Sequence, residues 1–508
     1  MDSRRFRWLS LAALALIGMP GVARPQQPPP SPSSPPLSVL TVGGGPNREQ
    51  NQVAIESNVR YVDRLLPSGA TRRVLFGDGQ GVAPIVQFRE EGAELPAAER
   101  ALRVAFGQPT ANSKIAYRKP QVPVLNGAST RVDIAKVVGE CASEPATRPL
   151  LVYFTGHGNQ NRNDIDNNTY ALWGERGLTV QELTAELAKL PADRPVVVVM
   201  VQCYSGAFGN IIFKDGSPAN ELSDQPVCGF FATTRERVAA GCTPEVNEAD
   251  YDDFTSYFFA GLTGTDRLGR SVPAPDYNRD GRVGMDEAFA YAIITEPSAD
   301  VPVATSDVFL RRYVQMTDDE VVAEPYADIL RKASPSQKAA LEALSKALGG
   351  KDEDRLKTAL AVVRQQVGAG GPQHAAHADD FGPGDVAKLN TYRQDLLTKF
   401  PGLRNRRNQA AYAAARAEAL KHLEGRPSDV AQMLKLGEGV EKVAKRRYEE
   451  QLKGARYLRI LRVAKSVVLE GRLRASGKAD LVARFDALKK REAGNPFRTG
   501  KSASVALR

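Results

Sequence analysis

Cysteine is scarce in this chain. Its 508 residues include four, Cys141, Cys203, Cys228 and Cys242. Four thiols do not make a disulfide scaffold, and their spacings fit no zinc site. Long apolar runs are also missing. Apart from Trp8 to Ile17, too short to span a bilayer, no extended apolar stretch occurs. No segment repeats at a fixed period, which excludes a solenoid. Aromatic residues make up 7%, and basic residues are not interleaved with them. That argues against nucleic acid as a partner.

What is present is a globular composition, 42% hydrophobic and 25% charged. The length predicts two or more domains. Charge is uneven: residues 331–508 hold 37 Lys+Arg against 19 Asp+Glu, and the remainder holds 31 against 40. An acidic front part precedes a basic rear part. Residues 1–23 read as an export signal, with Arg4, Arg5 and Arg7, a short apolar core, and Gly21-Val22-Ala23 at the cleavage site. Residues 24–36, rich in Pro, Gln and Ser, read as a linker. The mature protein is expected to be soluble, in the periplasm or outside the cell. Export permits one bridge, and Cys228–Cys242 is the expected pair. Cys203 must then stay free, and Cys141 is a buried thiol.

The informative stretch is 148–208. Leu150-Leu151-Val152-Tyr153-Phe154 runs into Thr155-Gly156-His157-Gly158, and Val196-Val197-Val198-Val199-Met200-Val201 runs into Gln202-Cys203-Tyr204-Ser205-Gly206. Short β-branched runs of this kind read as buried parallel strands. Between them, 178–190 carries Leu183, Leu187 and Leu190 at helical spacing and stops at Pro191. A right-handed β-α-β unit puts His157 and Cys203 just past the carboxyl ends of parallel strands, on one rim. A thiol beside an imidazolium has a lowered pKa and is a nucleophile; the imidazole then protonates the leaving amine. Gly158 and Cys203 each offer a backbone N–H for an oxyanion, and a glycine after His157 lets a substrate carbonyl approach closely.

These motifs resemble the caspase-like cysteine peptidases, in which a strand ends in His-Gly and a later one ends in Cys. Within them, Tyr153 to Gly158, Cys203-Tyr204-Ser205-Gly206 and Phe231-Ala232-Thr233-Thr234 are most similar to the legumain and glycosylphosphatidylinositol-transamidase family, over about residues 37–265. The resemblance implies an α/β fold, a doubly wound, mostly parallel sheet flanked by helices, and a peptide or protein substrate. It also makes Arg48 and Glu245 the candidates for a substrate pocket holding a side-chain amide such as Asn. Val201 departs from the pattern, since relatives carry an acidic or amide residue two before the cysteine.

Elsewhere, strands are expected at 37–42 and 73–76, and helices at 52–66 and 130–138; 80–125 has no legible pattern. The alternation predicts a doubly wound domain over 37–316. Residues 276–287 read Asp-Tyr-Asn-Arg-Asp-Gly-Arg-Val-Gly-Met-Asp-Glu. Asp276, Asn278, Asp280, the Arg282 carbonyl and Glu287 stand at positions one, three, five, seven and twelve of a calcium loop, with Gly281 at the turn and water at position nine. From 317 to 508 the chain reads as a basic all-α region, with helices at 336–348, 352–367, 384–399, 405–423, 427–452 and 455–473. A linker at 368–383 carries His374 and His377, a possible metal site; His422 reads as a surface residue. The basic region has three readings: an inhibitory segment over the site, a contact for an anionic surface, or a solvated domain. The leading functional expectation is an exported cysteine endopeptidase. The alternative is a non-catalytic, calcium-dependent binding module on the same fold.

Overall fold

The computed structural model describes residues 36–90, 95–107, 114–349, 353–368, 383–405 and 408–497. The expected export signal (1–23), most of the expected linker after it, and His374 and His377 lie outside the described residues. The chain enters through β1 (Ser38–Gly44), buried along its whole length, and turns into α1 (Val53–Leu65) and β2 (Thr71–Phe76). The unpatterned stretch after it holds β3 (Val86–Glu90), α2 (Ala97–Ala105) and β4 (Lys114–Arg118), with β3 and β4 paired antiparallel. Next come α3 (Arg131–Ala142), capped by the Thr130 hydroxyl, and β5 (Leu150–Gly156). A small ribbon of β6 (Gly158–Asn159), β7 (Thr169–Tyr170) and β8 (Leu178–Thr179) leads to α4 (Val180–Leu187), which opens on a Thr179/Glu182 capping box. Then follow β9 (Val196–Met200), β10 (Val227–Phe231), α5 (Phe254–Thr263), α6 (Met285–Thr295), β11 (Val303–Ala304) and α7 (Thr305–Tyr313).

Six strands form one sheet in the order β11-β10-β9-β5-β1-β2, parallel except for β11. β1, β5, β9 and β10 are buried at every residue, as a parallel sheet covered on both faces requires. From β1 the chain steps to one side into β2, then returns to the other side through β5, β9 and β10. Right-handed crossovers in opposite directions place α1 on one face and α3 and α4 on the other. Accordingly α1 packs with α5, α5 with α6, and α3 with α4. The reversal opens a crevice beyond the ends of β1 and β5, where open α/β sheets hold their ligands.

The rear of the chain is helical: α8 (Asp318–Val322), α9 (Tyr326–Lys332), α10 (Pro335–Ala347), α11 (Arg355–Gly368), α12 (Pro383–Lys399), α13 (Gln409–Glu424), α14 (Pro427–Ala475) and α15 (Ala479–Glu492). One expectation is corrected. The break expected between 452 and 455 does not occur, and α14 is a single helix of 49 residues, roughly 70 Å long. Gly454 lies inside it, with the Gln366 side-chain oxygen where a Cβ would stand, at 2.0 Å. The helix α15 had no expectation at all. Leu469, Leu473, Phe485 and Leu488 of α14 and α15 belong to the same core as the sheet. Further along α14, Ile460, Val463 and Val467 share a second core with α6 and α8 to α11, while its start shares a third with α2, α12 and α13. The described residues all fall in one compact unit. Among the described residues no helix is long and apolar enough to cross a membrane.

Candidate active site

The β5–β9 ladder pairs Leu150 with Val196 and Phe154 with Met200. Three residues beyond that last pair, past the ends of both strands, come His157 and Cys203 at the rim. The ladder ends just short of them. Val201 N–H donates to Phe154 O (3.1 Å), but the next acceptor, Gly156 O, takes the Cys242 thiol instead (3.4 Å). The Cys203 N–H therefore lies beyond the last rung and bonds no other described residue. On the other strand, Ala171 N–H donates to His157 O (2.9 Å). That makes Gly158 and Tyr170 a non-hydrogen-bonded pair, so the Gly158 N–H turns out of the ribbon. Both N–H groups expected to bind an oxyanion are thus left unused by the sheet. Gly158 is needed for a closer reason than substrate access: a Cβ there would stand 2.1 Å from the Cys203 carbonyl oxygen.

The imidazole faces the crevice between β1 and β5. Its Nε2 lies 2.9 Å from Gln50 O and 2.9 Å from Gln52 Oε1. Both partners are carbonyl oxygens and only accept, so Nε2 carries the proton and Nδ1 keeps a lone pair. Burial lowers the His157 pKa against the opposing pull of the Gln50 carbonyl, so the ring rests neutral at pH 7.

The thiol sits in a constrained turn. Tyr204, directly after Cys203, holds φ at 61°, a left-handed conformation costly for a bulky residue. Its backbone is pinned on both sides, N–H to Arg237 O (2.8 Å) and carbonyl to Asn168 Nδ2 (3.3 Å). Asn168 also donates to Arg235 O (3.0 Å), tying this turn to the loop after β10. That loop delivers the Ala239 N–H to Cys203 Sγ at 3.3 Å. Burial pushes the Cys203 thiol up to about 12, and the neighbouring Cys242 adds to the rise. This corrects the expected thiolate–imidazolium pair. Among the described residues no hydrogen bond joins Cys203 to His157, and the resting site holds a protonated thiol beside a neutral imidazole.

The expected Cys228–Cys242 bridge is also absent, because all four cysteines are free. Cys228 is buried on β10, while Cys242 is aimed at Gly156 on the rim. Sequence spacing flanked the strand correctly but not the direction of the loop beyond it. Arg48 and Glu245 both border the β3–β4 hairpin yet do not pair with each other. Arg48 stacks on Tyr117 (4.4 Å to the ring centre) and reaches Glu49 (3.5 Å). Glu245 is bound by Arg89 at 2.5 Å. The hairpin also meets the rim directly: Gln87 N–H donates to Asn51 O (2.8 Å) and Arg89 N–H to Pro244 O (2.7 Å). Gln52, Asn168 and the Arg237–Ala240 loop were not found from sequence. They are polar residues in irregular loops, without a local pattern, and only the tertiary fold brings them to the rim.

The calcium loop precedes α6. Asp276 accepts from Asp280 N–H (3.1 Å) and Gly281 N–H (2.9 Å), and Asn278 Oδ1 also accepts from Asp280 N–H (2.8 Å). Glu287, 1% exposed, accepts from Asn278 N–H and Gly284 N–H, both at 3.0 Å. Gly281 holds φ at 80°. The donor types are hard oxygens, as calcium requires. Their carboxylates are spent on loop N–H groups, and among the described residues no three His, Cys, Asp or Glu side chains converge as a metal site. The Arg282 carbonyl is exposed with its residue.

Compared with models of known protein families and with curated proteins, the chain matches none.

Proposed function

We propose that the chain is an exported cysteine endopeptidase of caspase-like fold. The observation that carries the reading is that His157 and Cys203 stand just past the carboxyl ends of adjacent parallel strands, with the Gly158 and Cys203 N–H groups outside the hydrogen bonding of the sheet. In this mechanism His157 Nδ1 takes the Cys203 proton as Sγ attacks the scissile carbonyl carbon. The Gly158 and Cys203 N–H groups hold the oxyanion. Collapse of the tetrahedral intermediate breaks the C–N bond, and the same proton passes to the departing amine. Water then hydrolyses the thioester. The raised thiol pKa makes the imidazole act as a true base during attack. Arg48 and the Arg89–Glu245 pair flank the approach and suit a polar side chain such as Asn before the cut.

The half-buried thiol, whose pKa is raised and which makes no hydrogen bond to His157 among the described residues, also favours a second reading, a calcium-dependent binding module that keeps the fold without catalysis. A peptidyl acyloxymethyl ketone separates the two. Labelling at Cys203, lost in Cys203→Ala, supports the peptidase; an unlabelled wild type supports the module. For the loop 276–287 we propose calcium as a structural ion held by Asp276, Asn278, Asp280, the Arg282 carbonyl and Glu287. The carboxylate at position twelve, buried against the loop backbone, supports it.

A further inference from the structure

Arg459 lies in the C-terminal helix α14, far from Cys203 in sequence, and is 2% exposed. Its guanidinium stands 3.9 Å from Glu296 Oε2, a long ion pair. It donates to four carbonyls of one short segment: Ile293 O (3.1 Å), Glu296 O (2.7 Å), Ser298 O (3.1 Å) and Asp300 O (2.7 Å). It therefore closes the end of α6 and fixes the turn that follows it. Asp300, the last residue of that turn, accepts the Ala240 N–H through Oδ1 at 2.8 Å. Arg237 reaches back to Ala299 O (3.3 Å). The loop so fixed is the one that presents Ala239 N–H to Cys203 Sγ and Arg237 O to Tyr204 N–H.

Resting on the peptidase reading above, we infer that Arg459 is a positioning residue for Cys203, acting from α14 through the turn 296–300 and the Ala239–Ala240 N–H pair. The charge in this connection is balanced locally. Glu296 Oε2 and Asp300 Oδ2 are buried without other hydrogen-bond partners. Burial raises the pKa of both carboxyls, and Arg459 pulls each of them down. Arg237 from the loop, Asp253 and Tyr257 of the α5 region, Tyr448 and Arg456 of α14, and the Cys203 thiol, which Asp300 helps to raise, are charged or titratable groups around the pair. The basic helical region is on this view a support for the thiol-bearing turn. Removing the support weakens the site, whereas removing an inhibitory segment would strengthen it.

The test uses the full-length protein and an asparaginyl acyloxymethyl ketone, with the maximal inactivation rate and the half-saturating concentration measured separately. Arg459→Ala is expected to lower the maximal rate at least tenfold with little change in half-saturation. It should also move the rate–pH profile to the alkaline side, because the thiol loses the Ala239 N–H. Added guanidine should restore part of the rate. A folded Arg459→Ala variant with the wild-type rate overturns the inference. If that variant does not fold, the Asp300 pair decides. Asp300→Asn keeps Oδ1 for Ala240 and offers an N–H to Glu296, so it should stay near wild type, while Asp300→Ala should lose rate tenfold. Equal rates in the two overturn the inference. A wild type that is not labelled at Cys203 overturns both this and the peptidase reading; labelling with no dependence on Arg459 or Asp300 overturns this alone.

Discussion

The smallest side chain at the rim is under the tightest constraint. Adding one carbon at Gly158 puts it against a backbone carbonyl, which has no rotamer through which to retreat. Gly158→Ala is expected to cost about 1–3 kcal/mol through overpacking. Cys203 labelling should also fall by well over tenfold, because the strained carbonyl belongs to Cys203 itself. A variant labelled at the wild-type rate would show that this contact is relieved without moving the thiol. Gln52 gives a complementary case. Its Oε1 helps fix the protonated Nε2 of His157, so Gln52→Ala should lower turnover by roughly tenfold with KM unchanged, a loss of orientation worth ~1.4 kcal/mol. At this scale the sequence was only partly legible. His157 and Cys203 end obvious strands, and Gly158 follows one directly. Gln52 lies 105 residues from the ring it holds, and Cys242 turns toward Gly156 through a loop with no regular period.

Elements were legible wherever a period existed. β1, β5, β9 and α4 fall where the apolar spacing puts them, because burial on both faces or on one helical stripe demands that spacing. The β3–α2–β4 insertion escaped notice because it is short, half-exposed and rich in charge. Two predictions belong here. The first concerns the junction between α6 and β11. Burial raises the pKa of Glu296 to about 7 against the lowering pull of Arg459, and burial beside Glu296 raises Asp300 as well. An unfolded Glu titrates near ~4.3. A carboxyl whose folded pKa is raised contributes its stability fully below the unfolded value and loses it as pH rises through the folded one. The wild-type Tm should therefore fall between pH 5 and pH 8, and Glu296→Gln should flatten that decline. Parallel pH profiles for the two proteins would mean the pair does not hold a proton in the native state. The second concerns the loop before α6. If calcium seats there, its carboxylates exchange loop N–H groups for the ion, and the Tm rises with free calcium as binding to the native state requires. A Tm unmoved by millimolar calcium, in a protein first treated with chelator, removes the ion from the loop.

At the scale of the whole molecule, the basic rear of the chain and the acidic front meet through specific pairs. Arg416 binds Glu99 at 2.5 Å, Arg462 binds Asp307, Lys465 binds Asp318 at 2.7 Å and Arg484 binds Asp224 at 3.1 Å. The open pair Arg484–Asp224 contributes little, about 0–1 kcal/mol, whereas Arg462–Asp307 is largely buried. Apolar contact is the stronger tie. Phe485 is fully buried and packs at a tilt against Phe309 of α7, with ring centres 5.4 Å apart, inside the core that holds β10. Beside it, Glu492 of α15 accepts from Thr305 Oγ1 (2.8 Å) and Ser306 N–H (2.7 Å), supplying the side-chain cap that Ala304, at the N-cap of α7, cannot give. Composition suggested a division near residue 317, because charge and residue usage change there. Packing does not respect that division, since one core draws on both sides of it. Heating should then give a single cooperative transition, with loss of the sheet and loss of the C-terminal helices coincident. Phe485→Ala, expected to cost ~3–5 kcal/mol, should lower both signals together. If scanning calorimetry resolved two transitions, and Phe485→Ala moved only the helical one, the rear helices would be an independent domain. Arg459 could not then act on Cys203 from within α14.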